Sequence, residues 1–587
     1  LPKDRLRTLF LQQFKAYPLD IPSMAKKALA SLLLSFSVYT AAGQTTYLQL
    51  NSEDYHLLDR LETRSGELTN SFFTSIKPIP RNGAVEFLLE KRKNAREMNL
   101  SLIDRHNIDK AISTSGEWTP DENGAIDSRL PWFNTFYRKQ PDFVHVKTKN
   151  FFLVVNPVIS AQAMYERTGN GSDNKFWSSR GVELRGWIAK KIGFYSYVTD
   201  NQETVPEFVN DWVTKHQAVP GADYYMTPSG GSHYDYLQAR GYIDFAAVKN
   251  HVNVTFGYDK HFLGDGIRSL YLSDFAAGAT FLRLNTKIWK LNYQNLYMEL
   301  TPQYFRGTDR ELPHKYATMH TLSINATKWL NIGVYESVMF SRQDRYEFGY
   351  MIPIIFYRAI ERGLGSPDNV NLGINFKAIA AKHLQFYGQL MLDEFKAKEL
   401  FSNRGWWGNK YGIQLGGKYF DAAGIRNLDL QAEVNMVRPY TYSHYDSTSN
   451  YSHYNQPLAH PVGSGFREVL GMIRYQPVKN LFIALKGMYY QQGSDPDSLN
   501  YGNDIFKNYR SRPADQEFGV EMINGPRVTS TMLNLNLAYE LKENLFIDLG
   551  ATRRVYKYEN AVMPNHVTNY VYGGLRLNIA RRDYDFY

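Results

Sequence analysis

The chain contains no cysteine, which excludes disulfides, thiolate metal sites and cysteine nucleophiles. Past the N-terminal region no stretch approaches the roughly 18 apolar residues of a spanning helix, and mean hydropathy is negative. A bundle of membrane helices is therefore excluded. Concentrated charge of one sign is missing too. The formal net charge of +9 is carried in part by Lys3, Arg5, Arg7, Lys15, Lys26 and Lys27 at the start, and the remainder is spread thinly. That distribution offers nucleic acid no patch. Catalytic signatures are also lacking. Gly264-Asp265-Gly266 has no strand–helix context for a phosphate loop, and no nucleophile elbow occurs. Asp393 and Glu394, adjacent in an extended segment, point to opposite faces. The expectation is a protein without enzymatic activity, cofactor or metal.

What is present is tyrosine, 43 residues within a 15% aromatic content, and 42 glycines for turns. The clearest pattern spans 369–436, where four segments alternate apolar with polar residues. Val370, Leu372, Ile374 and Phe376 alternate with Asn371, Asn375 and Lys377. Leu384, Phe386, Leu390 and Leu392 alternate with Gln385, Gln389 and Asp393. Ile413 and Leu415 are set against Gln414 and Lys418. Leu428, Leu430 and Val434 are set against Asp429, Gln431, Glu433 and Asn435. Period two puts one greasy and one wet face on each strand. A soluble sandwich hides the greasy face, whereas an outer-membrane barrel turns it to lipid and keeps the polar face for the lumen.

The segments around this core divide the chain. Residues 1–23 read as an extension upstream of a start at Met24. Residues 24–43 read as a cleaved secretory signal: Lys26 and Lys27, the apolar run 28–38, then Ala41 and Gly43 before a cut. Residues 44–140 predict short helices, one opened by Asn51-Ser52-Glu53-Asp54 and ended near Gly66, others over 84–95 and 101–112. Such helices are too short to stand alone. They fit a periplasmic plug, with a separate adaptor domain as the alternative.

From residue 141 onward strands dominate. Short connections at 189–191, 247–250, 285–288, 326–328, 378–383, 422–426, 476–480 and 542–544 each hold a basic residue. Much longer connections, such as 201–236, 342–368, 438–465 and 492–525, lie between them. Short periplasmic turns alternating with long external loops is the outer-membrane pattern. Counting hairpins, with an opening strand near 151–164 and a closing strand near 569–579, gives about 18. The fold class expected is thus all-β: a transmembrane outer-membrane antiparallel β-barrel of about 18 strands with a short α-helical N-terminal periplasmic segment. Phe586 and Tyr587 are expected to extend the last strand as its terminal aromatics.

Two residue sets invite functional reading. The lumen-facing series Glu183, Arg185, Arg283, Lys418, Glu433, Arg474, Lys486, Glu540, Asp548 and Arg576 carries both signs, which suits a neutralised, obstructed interior. The loop 438–461 holds Tyr440, Tyr442, His444, Tyr445, Asp446, Tyr451, His453 and Tyr454. Aromatic faces stack on sugar rings while carboxylates and amides take hydroxyls, so this loop is a candidate glycan site; a tyrosine-rich cover over the barrel mouth is the plainer reading. His444, His453 and His460 match no zinc spacing. Trp406 and Trp407 read as an interfacial pair.

Asn156-Pro157, 181–186 (Gly-Val-Glu-Leu-Arg-Gly), Gly257-Tyr258-Asp259-Lys260, 365–369 (Gly-Ser-Pro-Asp-Asn), Tyr387-Gly388-Gln389 and 392–395 (Leu-Asp-Glu-Phe) resemble the Wzi-like capsule-assembly outer-membrane proteins, in particular their gliding-motility, RemB-like branch. The resemblance spans residues 140 to the end. It implies an 18-stranded barrel with a helical periplasmic element, a blocked lumen and a lectin-like role tethering surface polysaccharide. The expected partners are the lipid bilayer with its lipopolysaccharide, surface polysaccharide and outer-membrane proteins. The expected location is the cell outer membrane. A role in gliding or protein secretion, and a porin-type channel, are the competing functions.

Overall fold

Alternation in the sequence becomes the two faces of a closed wall. The computed structural model describes residues 45–586, apart from 120–125, 129–130, 134, 228–229, 306–310, 343–344, 366, 395, 403, 497 and 560–564. The extension and signal expected at 1–23 and 24–43, and the terminal Tyr587, lie outside the described residues. Strands β1–β6 are Phe151–Thr168, Gly171–Ile188, Ile192–Thr204, His233–Val248, Val252–Asp259 and Ala279–Ile288. Strands β7–β12 are Leu291–Leu300, Lys315–Asn325, Leu330–Phe340, Asn369–Ala380, Leu384–Leu392 and Tyr411–Tyr419. Strands β13–β18 are Leu428–Val437, Phe466–Val478, Leu481–Gly493, Arg527–Lys542, Leu545–Tyr558 and His566–Leu577. Each pairs antiparallel with the next, and β18 pairs with β1 from Asn569↔Arg167 to Leu577↔Ile159. The result is a closed, 18-stranded outer-membrane barrel. A short strand Val144–Lys147 pairs with the start of β1, below the stretch that β18 occupies.

Burial is inverted relative to a soluble protein. Ile374 is 55% exposed and Gln414 is fully buried. Leu372, Leu415, Leu430 and Val434 are exposed on the outside, while Asn375, Gln431 and Glu433 are buried inside. Lipid covers the outer set. Trp289 and Trp329, exposed at the short-turn rim, mark the interfacial girdle there.

Strands run into several of the expected turns, through 247–248, 378–380, 476–478 and Lys542, and two further boundaries differ by more. Residues 285–288 are the end of β6 rather than a turn; the turn is Trp289-Lys290. Asn285 and Thr286 suggest a break, but Thr286 and Ile288 continue the outward face begun by Leu282 and Leu284, and Asn285 continues the lumen side. Residues 578–586 do not prolong the last strand. They leave it at Leu577 and run back into the lumen, because Tyr584, Asp585 and Phe586 all find partners there.

The helices are α1 Glu53–Ser65, α2 Arg81–Lys93 and α3 Leu102–Ser113. Gly66 ends α1 in the left-handed region at φ 76°, which glycine adopts without strain. Ser101 opens α3 with a capping box, accepting from the Asp104 N–H at 2.9 Å. Leu58, Leu61, Phe87, Leu88, Ile108 and Ile112 form a small shared core.

Candidate functional site: lumen and loop rim

The lumen charges meet partners supplied mostly by the N-terminal helices and the C-terminal tail. Arg60 on α1 bonds Asp104 of α3 at 2.8 Å, Asp421 in the β12–β13 turn at 2.6 Å and Asp429 on β13 at 2.7 Å. Lys418 holds Asp59 at 2.6 Å, and Lys377 holds Glu62 at 2.5 Å and Asp59 at 3.2 Å. Burial alone would raise the Asp59 carboxyl. Lys418 and Lys377 outweigh it and keep that carboxyl well below the ordinary range. Glu540 takes Lys110 at 2.5 Å. Arg185 faces Glu117 at 3.4 Å and Asp142 at 3.6 Å. Arg283 lies 4.1 Å over the Tyr47 ring. Asp548 accepts from Arg576 at 2.6 Å, and Gln431 accepts from Arg474 at 3.0 Å.

A loop and the tail fill further space. The β5–β6 connection, 260–278, enters the lumen. There Glu433 accepts the Ile267 and Arg268 N–H groups at 2.7 and 3.1 Å, and Phe262–Leu263 pairs with Ile76–Lys77 of the N-terminal segment. In the tail, Arg582 and the Tyr584 hydroxyl donate to Glu203 at 2.7 and 2.6 Å. Asp585 meets Lys486 and Arg268. Phe586 packs on Trp212 of the helix Glu207–His216 and on Phe275. A polar cavity of about 630 Å³ remains, lined among others by Asp59, Arg60, Glu183, Lys260, Asp583 and Asp585.

The tyrosine-rich loop divides into inward and outward members. Tyr442 and Tyr451 donate to the Leu270 and Tyr271 carbonyls at 2.8 and 2.6 Å, clamping the inserted loop. The buried Tyr440 hydroxyl donates to the Asn500 carbonyl at 2.9 Å. His453 accepts the Thr301 N–H on Nδ1 at 2.9 Å and donates from Nε2 to the Gly278 carbonyl at 2.8 Å. His460 pairs with Glu468 at 2.7 Å. His444 instead packs at a tilt against Tyr445, so the three histidines have separate partners. Asp446 caps a short turn, accepting from the Thr448 N–H at 3.1 Å. Tyr454 is half-buried near Tyr304. Tyr445 and Asp446 keep part of their surface exposed.

Burial lowers the His453 imidazole to about 3 and the His444 imidazole to about 4. Depressed values mean that the stability tied to neutral histidine is complete above about pH 6.5 and is lost as pH falls towards the depressed values. At pH 4.5 opening of 438–465 should become easier by about 2–3 kcal/mol per histidine. Hydrogen exchange of this loop, corrected for intrinsic rates, should be faster at pH 4.5 than at pH 7.5. Equal protection at both would refute the assignment.

Beside Tyr445 stands a cluster that the sequence did not bring together. Trp406 and Trp407 lie among the loops, not on the outer wall as the interfacial reading has them. Their ring centres are 6.0 Å apart, and Tyr509 is 5.1 Å from Trp407. Lys396 sits 4.4 Å over Trp406, Arg512 4.1 Å over Trp407 and Arg510 4.4 Å over Tyr445. Glu517 accepts from the Trp406 indole at 2.9 Å. The sequence signal was the run Tyr509-Arg510-Ser511-Arg512 in a long loop.

No protein-family model matches this chain, and no curated protein matches it at a significant level. Among solved structures it is similar to Wzi of Escherichia coli, a carbohydrate-binding β-barrel involved in group 1 capsule assembly. The two are 10% identical over 90% of this chain and 99% of that one, with a TM-score of 0.49. It is also similar to the outer-membrane protein OprD of Pseudomonas aeruginosa, at 12% identity over 72% and 95% of the chains and a TM-score of 0.38. OpdK of the same organism, solved with vanillate, is 8% identical over 72% and 98%, with a TM-score of 0.40.

Proposed function

We propose that this barrel binds surface polysaccharide at its loop rim and acts without catalysis. The observation that carries the reading is the partly exposed cluster of Trp406, Trp407, Tyr445 and Tyr509, interleaved with Lys396, Arg510 and Arg512. Flat rings offer stacking faces to sugar C–H groups, and the cations take carboxylate or phosphate substituents. The buried Tyr440 packs edge-on against Trp407 at 5.8 Å and supports the platform from within.

Glycan-array binding and retention of cell-surface polysaccharide test this. Trp406→Ala with Tyr445→Ala should weaken binding about tenfold or more, a loss of about 1.4 kcal/mol. Tyr454→Ala, outside the cluster, should leave it unchanged. Full retention by the double variant, with normal folding on gels, would remove the reading.

A further inference from the structure

The outer wall of β7–β9 breaks the lipid-facing rule. Tyr293, Asn295, Tyr297, Thr318, His320 and Glu336 share the outward face with the exposed Ile332 and Val334, as the β7–β8–β9 register requires. Glu336 lies six residues above Leu330, about 15 Å up a wall whose apolar band is about 25 Å tall. A carboxylate at that depth needs cover.

The β9–β10 connection supplies it. It folds back down the outside of the barrel, with Tyr350 and Tyr357 buried against Phe340, Val338 and Val370. The Tyr346 hydroxyl bonds Thr318 at 2.5 Å, Tyr357 bonds His320, and the Arg358 N–H donates to Glu336 at 3.2 Å. In return the wall serves the strap's backbone. Tyr297 donates to the Met351 carbonyl at 3.0 Å, and Tyr293 and Asn295 donate to the Pro353 carbonyl at 2.5 and 3.0 Å. Pro353 has no N–H to satisfy. Irregular backbone survives at membrane depth only when its polar groups find such partners.

The strap's other side is greasy. Met351, Ile352, Ile354 and Phe356 line it, with Ile354 84% and Phe356 76% exposed, and Phe348 is exposed nearby, while Ile355 packs inward. Arg345, Arg358 and Arg362, all exposed, flank the run. We propose that this strap is a binding site for a phosphorylated, multi-acyl glycolipid of the outer leaflet. Its acyl chains lie on Phe348, Ile352, Ile354 and Phe356, and its phosphates meet Arg345, Arg358 and Arg362. Continuity selects this occupant. The apolar run continues the lipid belt of Ile332, Val334, Leu372 and Ile374, and it sits on the loop-rim half of the wall, where the outer leaflet lies.

The cysteine-free chain makes the test direct. A spin label at Ile354→Cys, in vesicles containing lipopolysaccharide, is compared with labels at Ile374→Cys on the belt and Asp515→Cys on the loop rim. The Ile354 label should match the belt label, reached by oxygen and shielded from a water-soluble nickel chelate. A match to the Asp515 label, or shielding from both reagents as a second protein would give, overturns the proposal. In parallel, Arg345→Gln with Arg362→Gln should cut co-purified lipopolysaccharide at least threefold while the label still reads as lipid-exposed. Unchanged lipopolysaccharide, or phospholipid bound in its place, would also overturn it.

Discussion

Replacing Arg60 with methionine should release the N-terminal helices from the barrel. The guanidinium is buried and shared by Asp104, Asp421 and Asp429. Removing it leaves three carboxylates close together in a water-poor interior. Breaking a buried ion pair by deleting one partner costs about 3–5 kcal/mol, and here several pairs go at once. Limited proteolysis within α1–α3 should become fast while the barrel stays resistant, and heat-induced unfolding should start earlier. Arg60→Lys should fall between the two, keeping the charge but losing the fork that reaches three acceptors. Moderate acid should spare the separate pairing of Asp59 with Lys418 and Lys377. The Asp59 carboxyl is held below its ordinary value, so its contribution persists above the ordinary carboxylate range and disappears only as pH falls through the depressed value. Unchanged proteolysis in Arg60→Met would show that the helices are held by their apolar contacts alone.

The intact protein should show no steady open conductance in planar bilayers, whereas a variant lacking both 45–119 and 578–587 should conduct. Among the described residues the helices, the 260–278 loop and the C-terminal tail fill much of the lumen. Removing the helices and the tail leaves Lys377, Lys418 and Lys486 facing water without Asp59, Glu62 and Asp585. The exposed lysines should favour anions in the current that appears. A stable open level in the intact chain would instead support the porin reading.

Much of this architecture was legible in the alternation. Leu430 and Val434 opposed to Gln431 and Glu433 gave two faces, and the turn-and-loop rule gave the strand count. Helix α1 could be bounded from Ser52 and Gly66. What stayed hidden was the direction in which loops fold. Tyr442 and Tyr451 reach carbonyls 172 and 180 residues earlier in the chain, and no local pattern encodes such a distance. Aromatic composition announces stacking chemistry but not whether a ring faces a ligand or its own backbone. The lumen charges were readable as a set, yet their counter-charges lay 359 residues away in the case of Asp59 and Lys418. The outer strap stayed hidden because no local pattern links His320 on β8 and Glu336 on β9 to Tyr357 and Arg358 in the connection that follows.

The tail also spans the seam at which the wall closes. Its anchor point is Leu577, which pairs with Leu545 on β17 and with Ile159 on β1. Beyond it Tyr584 reaches Glu203 on β3 and Asp585 reaches Lys486 on β15. The final nine described residues therefore act as an inner stitch, tying strands that come from opposite ends of the sheet.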